Sequence, residues 1–250
     1  MKRSFAVALI ACLAIAVSAH AEFLKQTQTF DTSAGPVKIT PIYHASTLIE
    51  AGGKVIYVDP AKPSDFTGLP PADLILISDI HGDHMDADAV KTLSKAGTQI
   101  IAPPSVAEAK AVTPTKTLAN GETTKWDKWT INAIPMYNIV RKRDNGEPYH
   151  TKGRGDGFVM TFGGKRFYFS GDTEGIPEMR ALKNIDVAFI CMFDRPTMSP
   201  EEAADAVLAF HPKVAIPYHY GTSDPKIFAQ KLQGSGIDVR LLNWYANKKS

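Results

Sequence analysis

The chain has 250 residues, with 28 Lys and Arg against 26 Asp and Glu, 44% hydrophobic and 22% charged residues. That is enough for one large domain and too polar for a membrane bundle, and the near-neutral charge excludes a global basic field for nucleic acid or anionic membranes.

Lys2 and Arg3 precede an apolar stretch from Phe5 to Val17, followed by Ser18-Ala19-His20-Ala21. This pattern predicts a secretory signal peptide over residues 1–21 and an exported, periplasmic or secreted protein made of a single domain over residues 22–250. Leu9-Ile10-Ala11-Cys12 loosely resembles a lipoprotein box, but the apolar run continues past Cys12, so lipidation is the less favoured alternative. No later stretch approaches the roughly 18 apolar residues of a transmembrane helix. Removing residues 1–21 takes away Lys2 and Arg3 and no acid, which leaves 26 basic against 26 acidic side chains. Cys191 is then the only cysteine, in an apolar run where a core role is expected.

Val37 to Pro60 reads as strand, turn, strand, with Gly52-Gly53 as the hairpin turn and Val55-Ile56-Tyr57-Val58 ending at Asp59. His44 lies between two of these strands, and Asp59 is expected to brace a ligand or a loop. The run Leu74-Ile75-Leu76-Ile77 predicts a buried strand that delivers Ser78-Asp79-Ile80-His81-Gly82-Asp83-His84 to its end. Two imidazoles and two carboxylates within six residues, at a strand end where α/β sheets place chemistry, form a candidate metal site. Asp86 is positioned to cap a helix that stops near Gly97, and Gln99 to Ala102 is the next strand.

Asn120-Gly121 marks a turn into a second half, where residues 123–136 alternate in β fashion. Tyr137 to Gly157 has no sustained period and predicts a long surface loop carrying His150 among Arg141, Lys142, Arg143, Lys152 and Arg154. A hairpin through Gly163-Gly164 runs into Gly171-Asp172-Thr173. Val187 to Met192 is a further buried strand, Ser199 caps a helix from about Glu201 to Phe210, and Val214 to Pro217 leads to His219. His211 is expected at the surface, at the end of that helix. The overall class is α/β. No G-x-S-x-G, P-loop or dinucleotide-binding glycine motif supports a serine hydrolase, NTPase or dehydrogenase.

Strand ends and one loop thus present Asp79, His81, Asp83, His84, His150, Asp172 and His219. Ser78 to His84 resembles the H-x-H-x-D-H signature of the metallo-β-lactamase superfamily. The likeness extends to His44-Ala45-Ser46, Asp59-Pro60, Gly171-Asp172-Thr173 and Pro217 to Thr222, in the expected order, and is closest to the ascorbate-6-phosphate lactonase-like branch. The resemblance implies the metallo-β-lactamase fold, a four-layer αββα sandwich, and two divalent metal ions: zinc first, with manganese or iron as alternatives. By the same resemblance, His81 and His150 would bind the first metal, Asp83, His84 and His219 the second, and Asp172 would bridge them.

Asp79 stands where the motif has its first His, and a carboxylate ligand there makes the first site harder and more anionic than three imidazoles would. Two cations would lower the pKa of a water and polarise the scissile bond, with hydroxide as nucleophile and Asp83 as the catalytic acid–base group. His44, Asp59, Tyr137 and Arg154 are expected to bind substrate or to support the ligands. The implied function is metal-dependent hydrolysis of a small ester, lactone, amide or phosphoester by an exported enzyme. Its partner would be a small, anionic substrate met by the basic loop. The rivals are a catalytically silent metal-binding protein on the same fold and a true β-lactamase.

Overall fold

A computed structural model of the chain describes residues 27–246; the predicted signal peptide and Cys12 lie outside them. Two seven-stranded sheets form the centre of the molecule. The first runs in chain order through β1 (Gln28–Phe30), β2 (Val37–Tyr43), β3 (Ser46–Ala51), β4 (Lys54–Val58), β5 (Ala72–Leu76), β6 (Ser94–Ala102) and β7 (Lys116–Thr117). The second holds β8 (Thr123–Trp126), β9 (Trp129–Met136), β10 (Gly155–Phe162), β11 (Lys165–Phe169), β12 (Val187–Cys191), β13 (Val214–Tyr218) and β14 (Asp238–Val239).

Each sheet is antiparallel for its first four strands and parallel from the fourth onward. The change follows from the connections. Gly52 and Gly53, at φ 59 and 75, make a turn tight enough to join antiparallel neighbours, whereas later strands are joined by crossovers long enough to carry helices.

The inner faces of the two sheets share one core, in which Ile39, Ile49, Ile56 and Leu74 meet residues such as Trp129, Phe158 and Phe167. On the outer face of the first sheet, Val90 and Leu93 of α1 (Ala87–Leu93) and Val106 of α2 (Pro104–Ala109) pack with Tyr57, Ile75 and Ile77. The second sheet is covered by α3 (Pro177–Arg180), α4 (Pro200–Phe210) and α5 (Pro225–Lys231), with Phe210 edge-on to Tyr168 at 6.0 Å. The result is the expected αββα sandwich, within which Cys191 is a fully buried core residue.

Asp86 accepts from Ala89 N to cap α1, and Ser199 forms a reciprocal capping box with Glu202. Helix α1 ends at Leu93 rather than near Gly97, because Ser94 is already extended and pairs with Ala72 at the start of β6. The expected loop over 137–157 is irregular only to Arg154, since Gly155 and Asp156 are paired with Met136 and Pro135. His211 is the left-handed cap of α4, exposed, and bonded through Nε2 to Ser235 O at 3.0 Å. Among the described residues no helix is long and apolar enough to cross a membrane.

Candidate metal centre

Residues at the carboxyl ends of the parallel strands meet at one rim of the sandwich. Asp59 follows β4, the stretch Ser78 to His84 follows β5, Asp172 follows β11 and His219 follows β13. His150 reaches in from the loop before β10. Three of the residues there have left-handed backbones, His44 at φ 54, Asp59 at φ 48 and His219 at φ 49. Such conformations cost of order 1 kcal/mol or more for residues with a Cβ and persist where the surroundings impose them. The bends are held by His44 N donating to Trp244 O and His219 N donating to His44 O, each at 3.2 Å. Gly171, at φ 60, has Met136 Sδ only 2.6 Å from where a Cβ would stand, so the approach to Asp172 requires glycine.

All seven expected ligands converge, and His44 joins them. Three groups, Asp79/His81/His150, His84/Asp172/His219 and His44/Asp83/His219, each place their donor atoms within 4.8 Å of one another. Asp172 lies between two of the groups: its Oδ2 is 3.3 Å from Nε2 of both His84 and His150, and its Oδ1 is 3.4 Å from His219 Nε2. The Asp83 carboxylate, 43% exposed, is 3.3 Å from His219 and 3.4 Å from His44.

Neighbouring groups fix the orientation of two imidazoles. Asp59, fully buried, accepts from Ser78 N and Oγ at 2.7 Å and from His84 Nδ1 at 2.9 Å. Asn138 Oδ1 likewise accepts from His150 N and Nδ1, at 2.7 and 2.9 Å. With Nδ1 protonated in both rings, each Nε2 keeps its lone pair facing inward. His84 Nε2, His150 Nε2, both ring nitrogens of His219 and Asp172 Oδ1 are buried without a hydrogen-bond partner. Each such atom costs about 1–3 kcal/mol if left unsatisfied, so a cluster of them aimed at one volume fits divalent cations.

The electrostatics agree. Burial acts to raise the Asp172 carboxyl, but the charges of His219 and His84 outweigh it and hold the group well below the usual range. Burial acts to lower His84, but Asp172 and Asp59 carry it well above an ordinary histidine. Asp83 is also depressed against its burial, by the imidazoles of His219 and His44 that face it. Asp172 and Asp83 are therefore kept ionised, each pressed against imidazoles that would surrender protons to a metal.

The supporting residues divide. Asp59 stands behind His84 as expected. His44 lies against His219 with ring centroids 3.7 Å apart and the rings tilted by 36°, and its Nδ1 is 2.7 Å from the Tyr245 hydroxyl. Tyr137 is turned away from the reactive atoms: its hydroxyl donates to Glu178 at 3.0 Å and its main chain pairs with Thr173 and Glu174 behind Asp172. Arg154, expected either to bind substrate or to support a ligand, points inward onto an expected ligand. Its Nε donates to Asp79 Oδ1 at 2.9 Å and its Nη2 to Oδ2 at 2.5 Å. The carboxylate that replaces an imidazole in the motif left a charge to be balanced, and Arg154 balances it.

Two of the other loop cations are paired as well, Lys152 with Glu178 and Arg141 with Glu202, Asp194 and Glu174. Arg143 has no carboxylate partner among the described residues, and its Nη2 stands 3.4 Å from His81 Nε2 and 3.3 Å from Tyr149 O. Sequence reasoning did not single out Asn138, Tyr245 or Glu174. Glu174 accepts from the main-chain N–H groups of Ile139, Val140 and Arg141, at 2.8, 2.8 and 2.7 Å, and so pins the loop that carries His150. Its position two residues after Asp172 was the one available signal.

Comparison with known proteins places these observations in context. A family model described as a beta-lactamase superfamily domain matches residues 38–219. A UPF0173 metal-dependent hydrolase of Pelotomaculum thermopropionicum is 30% identical over 227 residues, covering 83% of this chain and 97% of the relative. A crystal structure from Parabacteroides distasonis, provisionally described as a metal-dependent hydrolase, is 39% identical with a TM-score of 0.82, over 87% of this chain and 98% of that one. Igni18, a metallo hydrolase of Ignicoccus hospitalis, is 26% identical with a TM-score of 0.69, over 83% and 95% of the two chains.

Proposed function

This chain belongs to the metallo-β-lactamase superfamily and is one of its metal-dependent hydrolases, and from that premise we propose an exported enzyme that cleaves a small, anionic ester, lactone, amide or phosphoester. The observation that carries the reading is the set of buried, unpartnered donors on His84, His150, His219 and Asp172. On this reading Asp79, His81 and His150 would hold one divalent cation, Asp83, His84 and His219 another, and Asp172 would touch both. Zinc is the first metal to test, with manganese and iron beside it. Bound there, such cations supply a water of lowered pKa and polarisation of the scissile carbonyl or phosphoryl oxygen.

The rest is done by the chain's own groups. Asp59 and Asn138 keep the imidazoles of His84 and His150 in the tautomer that presents Nε2 inward. Asp83, the most exposed carboxylate of the centre, orients the attacking water and takes its proton. Arg143, the loop cation whose guanidinium stands beside His81 with no carboxylate on it, meets the negative group of the substrate away from the bond being broken. A lactone of the kind opened by the lactonase-like branch is the first substrate to try. Export rests on the leader-like residues 1–21.

The test is elemental analysis of protein purified without added metal, followed by a panel of anionic lactones, esters, phosphodiesters and β-lactams before and after chelation. We expect bound transition metal, with turnover lost on chelation and regained on readdition. Metal without turnover of any panel member would favour the silent metal-binding alternative. Fractionation, with sequencing of the mature N-terminus, tests export.

A further inference from the structure

We propose, on the reading that the centre holds divalent cations, that Arg154 makes the two cation positions unequal by competing for Asp79, so that the Asp79/His81/His150 position is the weak one. Asp79 is fully buried and both of its oxygens are taken by one guanidinium, at 2.9 and 2.5 Å. The oxygen held by Nη2 is Oδ2, the same atom that lies 3.0 Å from His81 Nδ1 and 3.9 Å from His150 Nε2. That oxygen is the one directed at the other donors of its group. The same Nη2 also stands 3.4 and 3.3 Å from the two ring nitrogens of His81. Nη1 is tied to Tyr149 O at 3.1 Å, which anchors the guanidinium from its outer side.

An arginine in this place cannot lose its charge. A divalent cation that enters must therefore share Oδ2 with a fixed positive group or push that group aside, and in a partly dry site either is costly. The other position has no such competitor. Among the described residues no Lys or Arg makes an ion pair with Asp83 or Asp172 or a hydrogen bond with His84 or His219, and the Asp59 carboxylate behind His84 makes that imidazole a stronger donor. Together, Asp79 and Arg154 carry the same net charge as the neutral imidazole of the usual motif. Unlike imidazole, the pair can come apart.

The experiment is titration of the metal-stripped full chain with Zn2+ against a chromophoric chelator, with bound metal counted by elemental analysis. Wild type should bind in two steps, the second weaker than the first by about tenfold or more. Arg154→Gln should strengthen the second step by on the order of 10- to 100-fold, the size of effect that groups just outside a metal's ligands exert. The first step should not move, and it reports that the variant is folded. Arg154→Lys, a point charge that cannot fork across both oxygens, should fall between.

A second step that is unchanged or weakened in Arg154→Gln would overturn the proposal. So would two equal steps in wild type, a result that stands even if the glutamine variant does not fold. Either result leaves the metal-dependent reading intact. Binding of none of Zn2+, Mn2+ and Fe2+ by wild type would overturn the proposal and that reading together.

Discussion

Replacing Asp156 by asparagine isolates one buried charge behind the metal centre. Asp156 is fully buried in β10, its N–H donates to Ser78 O at 2.9 Å, and Asn120 Nδ2 donates to its Oδ1 at 2.5 Å. Its Oδ2 has no partner. Burial, with a smaller contribution from Glu122 and against the Asn120 hydrogen bond, raises the carboxyl from 3.8 to about 7. The folded protein therefore holds a proton that the unfolded chain gives up, so the stability tied to that proton is complete below about pH 4 and is lost as pH rises through about 7. Moving the carboxyl that far corresponds to ~4 kcal/mol, an upper figure for what the charged form costs.

Asparagine has nearly the same shape and no charge to lose. Denaturant unfolding of wild type and Asp156→Asn from pH 4.5 to 8.5 should give a stability difference that grows in favour of asparagine by some 2 to 4 kcal/mol and levels off above about pH 8. Titrations of groups that do not interact with Asp156 cancel in that difference. A difference that stays constant across the range would show that Asp156 titrates as an ordinary surface carboxylate, and the reasoning would fail.

Other expectations follow from the same geometry. Asp59→Ala and Asn138→Ala should each weaken metal binding by about 10- to 100-fold, measured by chelator competition, while leaving the ligands themselves in place; unchanged affinity would mean that tautomer control is unimportant here. Asp79→His alone should lower Tm, because it strands the Arg154 guanidinium against a neutral ring, and adding Arg154→Gln should recover it; equal Tm values for the single and double variants would refute a coupled pair. Arg143→Ala should raise KM for an anionic substrate, leave kcat nearly unchanged and blunt the effect of salt on kcat/KM. The same loss on a neutral analogue, with no change in salt dependence, would count against an anionic substrate.

Much of the molecule was legible in the sequence because it is written in local patterns. Buried strands such as Leu74 to Ile77 announce themselves by apolar runs, the Gly52-Gly53 and Gly163-Gly164 pairs by the positive φ their turns need, and α4 by its Ser199 cap. The ligand candidates were legible for the same reason, since chemistry at the carboxyl ends of strands puts Asp79 to His84, Asp172 and His219 directly after apolar runs. Which side chain would face which could not be read there. Arg154 and Asp79 are 75 positions apart, Tyr245 and His44 are 201 apart, and no local rule pairs them. The basic loop looked like one cationic rim from its composition, but packing committed Arg154 to a buried carboxylate, Arg141 and Lys152 to surface acids, and left Arg143 facing the site. Asp156 reads as one more loop acid until strand pairing draws it under Ser78. Spacing along the chain sets strands, turns and caps, whereas the partner of a charge is set by which chain segments desolvate it, and that is decided only when the two sheets close on each other.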